Sequence, residues 1–322
     1  MYLEFRESDV SEKTLQNHRY RLDTFIEFCE VHDIENLNEL DGRDIHSYRT
    51  WRGEDIKPLT LKTHLATLRV FLEFCASIDA VEDGLREKVV LPNVSAAEES
   101  KSVQLDADRA RSILDFLDEY RYASRDHIIM LILAYSGIRL GTLRALDVGD
   151  WDSKALLLKI RHRPDSGTPL KNREPAERSI TVSEEYGSVI DDYIRVNRVN
   201  VTDDHGREPL ISSQFGRMSE GAIRETVYRL TRPCIIDQEC PHDRDLADCE
   251  ATQDKQAREC PSSVSPHAVR RGAITRMLRD GTPEKVVSSR SNATSDILEK
   301  HYDERSERER AEIRREFLED SL

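Results

Sequence analysis

Lysine is scarce in this chain. Of its 48 basic residues only 11 are lysine, leaving 37 arginines against 62 acidic residues. The formal net charge is −14 at pH 7. Abundant Asp and Glu with little Lys resembles adaptation to concentrated salt, where an acidic surface keeps a protein dispersed. An ordinary acidic cytosolic protein is the plainer alternative. Long apolar runs are missing too. None approaches the roughly 20 residues that a membrane-spanning helix needs, so no membrane partner is expected. The opening Met1-Tyr2-Leu3-Glu4-Phe5-Arg6-Glu7 lacks the basic start and apolar stretch of a secretory signal. A cytoplasmic location is therefore expected. No internal repeat is present.

What is there suffices for globular cores. Hydrophobic residues make up 38% of 322 residues, a length that implies two domains. Residues 1–91 read as a small helical unit. Leu15, Leu22, Phe25, Ile26 and Cys29 recur on one helical face after Ser11, a predicted N-cap. A shorter helix follows Asp41-Gly42, with Ile45 and Tyr48 inward. A third starts near Thr60 and places Leu61, Leu65, Leu68, Leu72, Cys75 and Ile78 on one stripe. Lys57, Lys62, His64 and Arg69 fall on its other faces and read singly as solvated charges. Residues 92–104 are small, polar and aperiodic, as a linker is.

Residues 105–322 form the larger unit. Helices are predicted at 106–120, 125–136, 183–198, 218–231, 266–279 and 282–289. A last one, carrying Tyr302, begins near Thr294. Gly137 is a predicted C-cap that turns Arg139 inward. Residues 155–162 and 178–182 read as strands joined through a segment rich in turn residues that contains Lys171. The fold class is mainly α with a small antiparallel β-sheet.

Several boxes carry chemistry. Arg139 lies in Ser-Gly-Ile-Arg-Leu-Gly, Lys171 in Thr-Pro-Leu-Lys-Asn-Arg, His267 and Arg270 in Pro-His-Ala-Val-Arg-Arg-Gly, and Tyr302 in Lys-His-Tyr-Asp. Guanidinium groups fork onto phosphate oxygens. A Lys can protonate a leaving oxygen, and a Tyr can be a covalent nucleophile. His267 and Arg270 are three apart on a predicted helix and share a face. Pro266 suits that helix's start, where free N–H groups favour an anion. Arg271 points elsewhere and reads as structural.

The order and spacing of these boxes resemble the tyrosine recombinases of the phage-integrase superfamily, over nearly the whole chain. The resemblance implies an N-terminal core-binding helical domain that clamps a duplex, and a catalytic domain at 105–322. It implies cutting and rejoining of double-stranded DNA at specific sites through a 3′-phosphotyrosyl intermediate on Tyr302. Arg139 and Arg270 would hold the non-bridging oxygens, Lys171 would protonate the 5′-oxygen, and His267 would assist proton transfer. No cofactor is required for that chemistry. A tetramer on DNA, with a monomer when free, is expected. The acidic, Lys-poor composition points further to an archaeal, haloarchaeal type. High salt weakens phosphate binding, by a log–log slope of about −0.9 per phosphate neutralised. Close Arg contacts and shape fit must then carry more of the affinity.

Three departures stand out. The family's Leu-Gly-His, nine or ten residues before the Tyr, is replaced by Ser289-Arg290-Ser291-Asn292-Ala293-Thr294. Asn292 is the expected substitute, with Ala293 the alternative by a shift of one. Thr142 stands where an acidic partner for Arg139 is common. Lys159 is the alternative to Lys171. These departures leave a non-catalytic DNA-binding relative as a rival reading, and a type IB topoisomerase-like relaxing enzyme shares the chemistry. Finally, Cys234, Cys240, Cys249 and Cys260 sit in a polar insertion at 234–260, with His242 beside Cys240. Four thiolates can close a tetrahedral structural zinc site, with His242 as an alternative ligand. Unpaired loop cysteines and a redox switch are the other readings. Cys29 and Cys75 belong to apolar helix faces.

Overall fold

The computed structural model describes residues 1–95, 103–236, 239–303, 305, 307–308, 311–312 and 315. The chain divides into two compact units, Met1–Ser102 and Val103–Leu322. Most of the expected linker, residues 96–102, lies outside the described residues.

The first unit is helical: α1 (Tyr2–Glu7), α2 (Glu12–Val31), α3 (Gly42–Asp55), α4 (Pro58–Ser77) and α5 (Leu85–Lys88). Ser11 caps α2 by accepting from the Thr14 N–H. Asp41 and Asp44 form a reciprocal capping box on α3. Such caps satisfy helix N–H groups that have no partner within the helix. Phe25, Phe28, Ile45, Tyr48, Leu65, Leu68 and Leu72 form the core. Two expected core residues face out instead: Ile26 is 52% and Ile78 42% exposed. Phe28, fully buried, occupies the stripe one turn on from Phe25, and Ile26 is rotated off it. Two charges expected on a solvated face are structural. His64 is 3% exposed, edge-on to Tyr20. Burial, helped by Arg52 and Arg21, lowers its pKa to about 4, so it packs neutral. The Arg69 Nε donates to the Val89 carbonyl at 2.9 Å.

In the second unit the helices are α6 (Ala107–Tyr120), α7 (Arg125–Ser136), α8 (Leu140–Ala145), α9 (Glu184–Asp192), α10 (Glu220–Leu230), α11 (Pro266–Arg279), α12 (Glu284–Ser291) and α13 (Ser295–His301). Strands β1 (Trp151–Asp152), β2 (Leu157–Ile160) and β3 (Arg178–Thr181) form an antiparallel sheet, with Leu158 opposite Ile180. A second pair, β4 (Ser212–Ser213) and β5 (Gly216–Arg217), makes a short hairpin. The centre is α7 against α11. Ile128 to Leu133 are all buried, as are Val269, Ala273 and Ile274. An ionic knot supports the sheet side. Arg163 pairs with Asp150 at 2.6 Å, and Arg217 bridges Asp203 at 2.8 Å and Asp147.

Gly272 lets a strand of chain cross α11. A Cβ there would lie 1.8 Å from the Leu105 carbonyl oxygen. The Leu105 N–H also donates to the Ala268 carbonyl at 3.1 Å, so the crossing is pinned. Gly272→Ala gains up to about 1 kcal/mol of helix propensity. It meets a backbone that cannot step aside, and overpacking of that kind costs roughly 1–3 kcal/mol. A net loss is expected, read as a lower urea midpoint. An unchanged or raised midpoint would show that Leu105 gives way.

Candidate active site

Each functional side chain is placed by a helix end or a turn. The apolar α7 stops at Gly137, whose left-handed φ of 64° caps it through an N–H bond to the Leu133 carbonyl. A side chain there would press on Ile274 and Met277 at 3.2 and 3.3 Å, so α11 passes close by. Ile138, 1% exposed, then anchors the chain. Arg139 follows as the N-cap of α8, half-buried. Arg270 on α11 is 2% exposed. Its Nη1 donates to the Gly137 carbonyl at 2.6 Å and to the Ser291 carbonyl at 2.7 Å. One guanidinium thus clasps the C-terminal ends of α7 and α12, where partial negative charge collects.

Burial, and then Arg270, lowers the pKa of Arg139, while Tyr302 acts in the opposite sense. A third arginine, absent from the residues picked from the sequence, stands with these two. Arg178 opens β3 and donates to the carbonyls of Arg290 at 2.9 Å and Ala176 at 2.7 Å. Burial first, then Arg270 and Arg139, pushes its pKa down to about 10. The signal was the two-residue period of a strand, which gives Arg178 the inward face of the buried Ile180. Among the described residues no carboxylate pairs with Arg139, Arg178 or Arg270. Three partly desolvated like charges without a counter-charge make a site for an anion.

Lys171 and His267 complete the basic wall. Lys171 is exposed on a turn after the buried Leu170, whose N–H donates to His162 Nδ1 at 2.9 Å. Lys159 is held by Asp152 at 2.8 Å, and this engagement favours Lys171 as the free cation. His267 is the second residue of α11, and the Ser265 cap leads into it. The residue as a whole is exposed, yet desolvation is the main cause that lowers its pKa from 6.5. Arg270, Arg271, Arg139 and Lys171 add to the shift. These cations bias His267 toward its neutral form in the free protein. An anion among these cations would favour its charged form. Its titration midpoint, followed by NMR, should lie below 6.5 in the free chain and rise when a short phosphodiester binds. A free midpoint above 6.5 would place His267 outside this cationic group.

Tyr302 was expected within the last helix and instead ends it, as the C-cap of α13. The residue is 5% exposed, packed with Ile274, Met277, Leu278, Val287, Ala293 and Leu298. The Thr275 hydroxyl donates to its carbonyl at 3.1 Å. The phenol still lies within electrostatic reach of Arg139. Asn292 has a left-handed backbone, φ 53° and ψ 55°, and caps α12 through its N–H. Among residues with a side chain, Asn is one of the types that tolerate this conformation. Asn292 thus sits where the glycine of Leu-Gly-His would be favoured, and the following Ala293 is 4% exposed in the apolar cluster. Thr142 is 8% exposed and forms no ion pair.

The four insertion cysteines line one small cavity together with Arg232, His242 and Arg244. Among the described residues, no group of three or more His, Cys, Asp or Glu is already close enough to hold an ion. His242 Nε2 is 2.9 Å from the Ser262 Oγ. Cys29 and Cys75 are buried in the first unit's core. Among the described residues no helix is long and apolar enough to cross a membrane.

Three arginines, a lysine and a histidine that feel one another's charge, with a tyrosine in reach of Arg139, make a group suited to an anion. The chain belongs to the phage integrase family, whose model matches residues 104–307, with the family's N-terminal SAM-like domain matched at residues 2–77. Its fold is similar to that of the Tn1549 transposon integrase in complex with transposon right end DNA. Identity is 15%, coverage is 98% of this chain and 96% of that one, and the TM-score is 0.68. It is also similar to a lambda integrase dimer bound to a COC′ core site, at 12% identity, 95% and 94% coverage and a TM-score of 0.65. The N-terminal domain of a phage integrase/site-specific recombinase from Haloarcula marismortui is 40% identical. That match covers 28% of this chain and 88% of that one, with a TM-score of 0.28. No curated protein matches the chain significantly.

Proposed function

We propose that Tyr302 attacks a DNA phosphodiester within the arginine cluster, forming a 3′-phosphotyrosyl bond and releasing a 5′-hydroxyl. Arg139 and Arg270 hold the non-bridging oxygens as negative charge builds in the transition state. Arg178 adds positive potential and fixes β3 against the end of α12. Lys171 protonates the departing 5′-oxygen, and His267 relays a proton or hydrogen-bonds the phosphate. Asn292 shapes the end of α12 and offers an amide to the same phosphate. Attack by a second strand's 5′-hydroxyl reverses the step, so bond energy is conserved without a cofactor. The observation that carries this reading is the set of three arginines without a carboxylate partner beside Tyr302.

Double-stranded DNA is the proposed partner, with the N-terminal helical unit as the other half of a clamp. A tetramer on paired sites, built from free monomers, is the proposed assembly. The composition supports a haloarchaeal, cytoplasmic setting: 62 acidic residues suit dispersal in strong salt, and 37 arginines suit close phosphate contacts there. The burial of Tyr302 in an apolar cluster favours a second reading, a DNA-binding relative that does not cut. A nicked suicide substrate in concentrated KCl decides between them. The recombinase leaves a denaturant-resistant protein–DNA adduct, and the non-cutting relative leaves none.

A further inference from the structure

The insertion between α10 and α11 is tied down at its two ends and at Ala251 and Ala257, whose N–H donates to Glu225 at 3.1 Å. Arg109 donates to the carbonyls of Thr231 and, at 2.5 Å, Ser262. Arg232 donates to the Ala251 carbonyl, and the Val264 N–H donates to the Thr231 hydroxyl at 3.0 Å. Among the described residues between these points the backbone makes short turns around few buried side chains, Ala251, Ala257 and Cys260. So small an apolar centre cannot by itself order a polar segment of this length. All four insertion cysteines nevertheless line the same cavity, although they are spread over residues 234–260. The cavity is about 10 Å³, room for roughly one water-sized sphere.

We propose that Cys234, Cys240, Cys249 and Cys260 bind one structural zinc ion in this cavity. Four cysteines lining one cavity supply the donor set of a tetrahedral, closed zinc site. The charges fit as well. Zinc with four thiolates carries a net double negative charge, and Arg232 and Arg244 are among the residues around the same cavity. His242, engaged with Ser262, lies in the surrounding shell and steadies the turn after Cys240. Binding requires the thiols to draw inward, because no three of them stand within ligating distance of one point now. The metal then crosslinks the segment that leads into Ser265, the cap of the helix bearing His267 and Arg270. It orders that helix's approach and makes no contact with the scissile phosphate.

Full-length protein purified without chelator or affinity metal should contain about one zinc per chain, as a closed four-ligand site requires. The four thiols should resist a thiol reagent until a mercurial releases the metal. Cobalt substitution should give the absorption bands of tetrahedral thiolate coordination. Cys249→Ser should lose zinc; should that variant fail to fold, the cobalt spectrum of the parent decides. Metal-free folded protein with four freely reactive thiols would overturn the proposal. So would iron at the same stoichiometry, or full zinc retention by Cys249→Ser.

Discussion

Tyr302→Phe is expected to abolish the covalent DNA adduct completely while leaving the fold and DNA binding intact. The substitution is unusually clean here. Tyr302 is 5% exposed in an apolar cluster, and Phe keeps that packing. The bond from Thr275 goes to the Tyr302 carbonyl, not to the phenol, so it survives. Only the nucleophilic oxygen is lost, and no neighbouring group replaces a missing phenolate. Burial also makes a kinetic claim. The phenol must be turned out of its cluster, or the cluster must open, before attack. Adduct formation on a suicide substrate should therefore lag behind DNA binding in the parent. Adduct formation by Tyr302→Phe at the parental level would assign the nucleophile elsewhere.

The helices that frame the site were readable because their signals are local. Ser124 and Gly137 delimit α7, and Ser265 with Pro266 start α11, at the predicted residues. Arg139 and Arg270 could be picked because each sits close to such a signal, two residues after Gly137 and four after Pro266. The small strands β1, β4 and β5 escaped notice, since two residues carry no period. The five-residue π-turn at Tyr193–Asn197 lay hidden inside a predicted helix for the same reason. Phase errors explain Ile26 and Ile78, where neighbouring aromatic or terminal positions decide which side faces in. Arg178 was missed because its role depends on pairing with β2 and on the end of α12, 112 residues away. The burial of Tyr302 is likewise tertiary, made by α11 and α12 closing over the end of α13. Asn292 looked like a donor by spacing, and only its left-handed backbone shows what else that position needs.

Arg139→Ala and Arg270→Ala should both remove cleavage, yet part company in stability. Each loses one donor to the phosphate oxygens, a change that typically lowers rate by ~10²–10³. Many backbone contacts share the work of binding DNA, so affinity should fall far less. Arg139 has no carboxylate partner among the described residues, and it shares its site with Arg178 and Arg270. Its removal relieves like-charge crowding, so the thermal midpoint should hold or rise while activity collapses. That opposition is the mark of a residue kept for function at some expense of stability. Arg270 differs, because it also clasps the ends of α7 and α12 through two buried carbonyls. Its loss leaves both carbonyls unsatisfied, at about 1–3 kcal/mol for each buried group. The thermal midpoint should therefore drop in Arg270→Ala. Asn292→Gly keeps the left-handed turn and deletes only the amide, so a smaller loss of cleavage with unchanged stability is expected. Near-parental cleavage by either arginine variant would remove that residue from the phosphate site. A lowered midpoint in Arg139→Ala would mean that its charge is balanced in the free protein and that the cluster is no anion trap.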